Sequence, residues 1–119
     1  MSETIESWRK VFRDGFAPLC STEGLEAIHE ALRTNDKRLI RGSTTQPPPL
    51  TTTEGWPVEA CCLVAYSGWQ GDKLETVGEV ETYFARMCCE IDNRLGEPAA
   101  CRWLLNAFDG DAHEAKDYW

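Results

Sequence analysis

The chain is poor in the residues and motifs from which most enzymes build their sites. It has two histidines, His29 and His113. It lacks a Walker loop, a G-x-G-x-x-G turn, an H-E-x-x-H pair and a G-x-S-x-G elbow, so nucleotide, zinc-protease and serine-hydrolase chemistry have no local signature. No apolar run approaches the roughly 20 residues of a membrane span. The opening MSETIESWRK carries acids and no apolar stretch, so no signal peptide is expected and the protein reads as cytoplasmic. No C-x-x-C spacing occurs among the six cysteines, four of which form the adjacent pairs Cys61–Cys62 and Cys88–Cys89. Neighbouring cysteines on a helix point about 100° apart, which chelates a metal poorly, so the expectation is free thiols in the core, no metal and no cofactor.

Positive charge is also scarce. The net charge is −8, and it is unevenly placed. Residues 1–42 balance seven bases against seven acids, whereas residues 43–119 hold five bases and thirteen acids. That field repels phosphate backbones and anionic lipid, so no direct nucleic-acid or membrane partner is expected. The one basic concentration, Arg33, Lys37, Arg38 and Arg41, reads as solvated surface neutralised by the chain's own acids.

What is present is helical punctuation. With 119 residues and 42% hydrophobic content, one compact all-α domain of about five helices is expected. A first helix from Glu3 to Asp14 would bury Ile5, Trp8, Val11 and Phe12 and stop at Gly15. Ser21 or Thr22 would cap a second, with Leu25, Ile28, His29 and Leu32 on its stripe and its end near Thr34–Asn35. Asp36 would start a short helical piece closed by Gly42. Thr76 and Glu79 have capping-box spacing, and Val77, Val80, Phe84, Cys88, Ile91 and Leu95 recur at helical steps up to Gly96. Two further segments start at prolines: PVEACCLVAYSGW from Pro57, broken by Gly68 and Gly71, and EPAACRWLLNAFDG around Pro98. Each is apolar nearly all round, which marks two central buried helices wrapped by the amphipathic ones. No segment alternates with period two, so no strand is expected.

The organisation expected is a charge-balanced helical part (1–42), a Thr/Pro-rich connector (43–56), core helices (57–108) and an acidic tail (109–119). The connector TTQPPPLTTTEGW reads as an extended crossing with Leu50 or Trp56 buried, rather than as a docking peptide. In the tail, Asp109, Asp111 and His113 alternate but lack the later ligands of a calcium loop, so a polar chain end is the better reading.

Candidate interaction or pocket residues are few. Glu59 and Arg102 are the lone charges of the two apolar segments, so they are expected to pair or lie close together; the alternative is that each reaches solvent. His29 is expected half-buried. Cys20 precedes a helix N-terminus, where a thiolate is stabilised. Trp56 and Trp119 are lids on the core or anchors for a partner. No catalytic set converges on these residues. The expected function is therefore a small acidic, non-enzymatic module, adaptor or inhibitor that binds another protein, one with a basic surface. The alternative is an enzyme or small-molecule binder with a pocket between the central helices and the proline-rich loop. A homodimer through an apolar helix face is a third reading.

Overall fold

The computed structural model describes residues 9–41, 43–98 and 100–109, with only the backbone of Ala107 and Asp109. The expected helix start at Glu3, with Ile5 and Trp8, and the tail residues Asp111, His113 and Trp119 therefore lie outside the described residues. The chain is mostly helical. A π-helical segment, Val11–Phe16, runs into a 3-10 turn, Ala17–Leu19. Then come α1 (Thr22–Thr34), β1 (Thr45–Gln46), a 3-10 turn (Thr51–Thr53), β2 (Ala60–Cys61), α2 (Leu63–Tyr66), a second π-helical segment (Ser67–Gly71), α3 (Val77–Leu95) and α4 (Ala100–Asp109). One hydrophobic cluster collects side chains from Val11 to Phe108, with Phe16, Leu63, Met87, Ile91, Leu104 and Phe108 among the fully buried.

The two amphipathic helices have the ends their sequences specify. Ser21 caps α1 by accepting from Gly24 N at 3.0 Å, and Asn35 closes it in the left-handed region at φ 55°. In α3, Glu79 N donates to Thr76 Oγ1 at 3.2 Å, while Glu79 Oε1 accepts from Thr76 N at 3.2 Å. Gly96 ends α3 at φ +68°, a conformation that a Cβ would strain. The buried row of α3 is Val77, Val80, Tyr83, Met87 and Ile91. Phe84, Cys88 and Leu95 flank it and are only partly buried, so the true face is rotated from the expected one by about one residue.

The two central segments depart from expectation. Residues 60–68 are buried as their composition requires, but the stretch from Val58 to Cys61 is extended, not helical. β2 pairs antiparallel with β1, Thr45 opposite Cys61. On the other side, Cys61 N donates to Arg38 O and Cys61 O accepts from Ile40 N, both at 2.9 Å. These bonds take the peptide groups that a helix through 36–41 would need, so the expected short helix after Asp36 is a turn followed by a β-bridge at Leu39. A short, continuously apolar run carries no period, and long-range backbone bonding decided its conformation. α4 buries one face only: Ala100, Leu104 and Phe108 are inside, while Arg102 and Trp103 are exposed. The helix buried on all sides is thus confined to the short Leu63–Tyr66 within the first segment, and the second forms an amphipathic helix.

Three glycines read as helix stops are contact points instead. Gly15 lies within the first π segment, where a Cβ would meet Leu95 Cδ1 at 3.0 Å and Ile91 Cγ2 at 3.1 Å. Gly68 sits on the ring of Tyr83, and Gly71 on the backbone of Gly24. The missing side chains let the second π segment press against both α1 and α3.

Candidate functional site

An open groove of about 800 Å³ runs between the end of the proline-rich loop, the 72–76 segment and the first turns of α3. Its construction begins at the α3 N-terminus. Val77 N donates to Trp56 O at 2.9 Å, Gly78 N to Glu54 O at 2.8 Å, Glu79 N to Thr76 Oγ1, and Val80 N to Thr76 O at 3.0 Å. All four N-terminal N–H groups of the helix are therefore satisfied, two of them by loop carbonyls. Gly78 permits that approach, because a Cβ there would lie 2.6 Å from Glu54 Cγ. Val58 N adds a bond to Glu75 O at 2.9 Å, and buried Thr45 donates to Glu81 Oε2 at 2.8 Å.

The loop is thus held by its backbone and by the small side chains of Thr45 and Thr53. Thr53 is buried; its hydroxyl donates to Pro48 O at 2.6 Å and accepts from Leu50 N at 2.9 Å. Leu50 and Trp56, of which at least one was expected to pin the loop to the core, are 58% and 55% exposed. The connector is ordered as expected, but its anchors are different atoms, and exposed Trp56 follows directly on the groove residues Glu54 and Gly55.

Glu54, Asp72 and Glu79 supply carboxylates to the groove, Arg86 a guanidinium, and Leu74 and Tyr83 apolar surface. Glu79 Oε1 also accepts from Glu75 N at 3.0 Å, and these backbone bonds hold its carboxyl below the usual range. Asp72 Oδ1 accepts from Ser21 Oγ at 2.7 Å, which ties the groove wall to the α1 cap. Tyr83 is 5% exposed and donates to Ser67 Oγ at 2.7 Å, while Ser67 donates to Val64 O at 2.8 Å. Arg86 lies over the Tyr83 ring, 5.4 Å from its centroid. Burial pushes the Tyr83 phenol up to about 12, and it pushes the Cys20 thiol up to about 11, with Asp72 adding to both. At neutral pH both stay protonated. The helix-start stabilisation expected for a Cys20 thiolate is outweighed by desolvation.

The residues singled out from sequence are dispersed. Glu59 and Arg102 are both exposed, and among the described residues no ion pair joins them, so the premise of two buried charges fails: β2 turns Glu59 outward and α4 turns Arg102 outward. His29 is exposed rather than half-buried, its ring 6.4 Å from that of Phe12. Cys20 is partly buried, close to Ser67 and Asp72. None of these four lines the groove; Trp56 follows in the chain on Glu54 and Gly55, which do. The arginines of the basic concentration have partners within the chain: Arg33 on Glu30, Arg38 on Asp36 and above Trp69, and Arg41 on Phe108 O and over the Phe108 ring.

Sequence reasoning passed over Glu54, Asp72, Glu79, Tyr83 and Arg86 as a site. A signal was available: residues 54–82 carry six acids against one base, Lys73. No protein family model, curated protein or solved structure matches the chain. No helix among the described residues is long and apolar enough to cross a membrane.

Proposed function

We propose that this protein is a small protein-binding module, an adaptor or inhibitor, whose groove receives a basic segment of its partner. One observation carries the reading: Glu54, Asp72 and Glu79 converge on one open groove beside an exposed tryptophan. Three carboxylates lining one groove attract a cationic side chain, and an exposed indole next in the chain to Gly55 can add a cation–π contact. The loop holding Trp56 is already ordered by Thr53 and by its bonds to α3, which lowers the entropic cost of offering the ring.

The test is a titration of the ¹⁵N-labelled protein with an arginine-rich peptide, and with a glutamate-rich peptide as control. The expected result is shifts at Glu54, Gly55, the Trp56 indole, Gly78 and Glu79 with the basic peptide alone. They should weaken steeply with salt and be lost in the E54Q/E79Q/W56A variant; glutamine is chosen at position 79 because it keeps the capping box. Shifts scattered over the surface, or unchanged in the variant, refute the proposal. A second reading, a small-molecule binder, is supported by the groove's volume, which lies in the range of ligand sites, and by its position at the end of the proline-rich loop. A fragment screen whose hits bind at Leu74 and Tyr83 without salt dependence favours that reading.

A further inference from the structure

The groove has two ends of opposite charge, and α3 sets the distance between them. Gly78, Thr82 and Arg86 recur at four-residue steps, so they share the face of α3 that lines the groove. Two carboxylates stand at the start of this row. Glu54 Oε1 would lie 3.3 Å from a Cβ on Gly78, and Glu79 turns back to accept from Thr76 N. Arg86 stands at the other end, its guanidinium leaning toward the helix start over the Tyr83 ring. At roughly 1.5 Å per residue, Glu79 and Arg86 are about 10 Å apart along the helix axis. Between them α3 contributes Thr82, a short exposed side chain that leaves the floor open. The groove's own acids do not neutralise Arg86. Asp72 is held by Ser21, and among the described residues no ion pair joins Arg86 to Glu54, Asp72 or Glu79. Its pair with Glu90 is a loose 3.9 Å, and its side chain is 63% exposed.

We propose that the groove takes an extended, polyproline-II-like segment of its partner that carries an arginine and an acidic side chain three residues apart. The arginine meets Glu54 and Glu79, and the acid meets Arg86. This rests on the groove being the docking site for a basic segment, and it states what else that segment must carry. The spacing follows from the geometry of the two chains. In a polyproline II segment, side chains three residues apart share a face and are separated by about 9 Å, close to the distance between Glu79 and Arg86 along α3. An acid next to the arginine falls short of Arg86 and points to another face. The protein's overall field gives the proposal a sharp test. At a net charge of −8 it disfavours any acid added to a partner. A segment that binds better with the acid than without it must therefore meet a local cation, and Arg86 is the cation that lines the groove.

The experiment titrates the full chain at low salt with end-blocked peptides containing Arg-Pro-Pro-Glu or Glu-Pro-Pro-Arg, each beside its glutamine counterpart. Binding is followed at the Glu54, Gly78, Thr82 and Arg86 amides by NMR. The expected result is that one order binds about two- to five-fold tighter than its glutamine counterpart, the range of an exposed ion pair. The gain should be absent when the acid is moved next to the arginine, vanish in Arg86→Gln and reverse in Arg86→Glu. The wild-type comparisons decide the matter even if a variant misfolds. If neither acidic peptide exceeds its glutamine counterpart while the arginine is still required, the paired-charge proposal is overturned and the basic-segment reading stands. If peptides with alanine in place of arginine bind as tightly, that reading falls and the proposal with it. An equal gain from the adjacent acid overturns the spacing, and a gain that persists in Arg86→Gln overturns the assignment to Arg86.

Discussion

Gly71 packs against the backbone of Gly24, and Gly71→Ala tests how the fold is assembled. A Cβ there would lie 2.3 Å from Gly24 Cα and 2.4 Å from Gly24 N, far inside van der Waals contact. Both offending atoms are backbone, so no rotamer change relieves them; α1 and the second π segment must move apart. That movement strains a second feature, because Ser21 Oγ accepts from Gly24 N at 3.0 Å and donates to Asp72, the residue after Gly71. Overpacking of a tight core costs about 1–3 kcal/mol, and a lost N-cap about 1 kcal/mol more. Replacing glycine returns about 0.4–1 kcal/mol through the unfolded chain, so with overpacking at the upper end of its range, because both clashing atoms are backbone, the net loss is about 3 kcal/mol. An unfolding entropy of about 2.1 cal/mol/K per residue over 119 residues converts this to a fall in Tm of about 12 °C. Gly55→Ala is the control, since a Cβ there meets nothing within 4 Å; its expected change is within about 1 kcal/mol, in the stabilising direction. Thermal melts followed by circular dichroism, with urea midpoints compared at constant slope, measure both variants. A G71A melt within about 3 °C of wild type, or equal losses in the two variants, refutes the glycine-to-glycine packing.

Two further outcomes follow from the groove and its walls. Cys20 ionises at about 11 folded against 9.0 unfolded, and Tyr83 at about 12 against 10.0. Between those values the unfolded state binds fewer protons, so stability falls as pH rises from 9 to 12 and is unaffected by these groups below 9, with at most about 2.7 kcal/mol from each. Urea midpoints across this range should decline, less steeply in Y83F; a flat profile shows that the phenol is not buried against Ser67. Thr76→Ala removes the acceptor for Glu79 N, and a loss of about 1 kcal/mol is expected by urea unfolding. The loop carbonyls on Val77 and Gly78 confine the cost, so a loss above about 3 kcal/mol would show that the loop depends on the cap.

The legible parts of the fold were those whose determinants are neighbours in the chain. Ser21 with Asn35, and Thr76 and Glu79 with Gly96, specify both ends of α1 and α3 within a few residues. Residues 57–71 were legible only in their burial. Their conformation depends on bonds from Cys61 to Arg38 and Ile40 and from Cys62 to Thr44, partners 18 or more residues away. Two-residue strands leave no alternation to detect. Glycine was ambiguous for a different reason: it serves where φ is positive and also where a Cβ would collide. Gly96 is the first kind and Gly15, Gly68 and Gly71 the second, and composition around them does not separate the two.

The proline-rich loop shows why the candidate site was harder to read than the helices around it. A structural connector and a docking surface are alternatives only if an ordered loop must bury its large side chains. Order here comes instead from the Thr53 hydroxyl and from carbonyls of Glu54 and Trp56 that finish the N-terminus of α3. Because the backbone does the anchoring, Trp56 is not needed in the core, and the same helix start that fixes the loop places Glu79 next to it. Stiffness and exposure are therefore compatible in this segment. The Trp56 backbone is bonded to Thr53 and Val77 while its side chain stays exposed, so the loop's order does not depend on burying the ring.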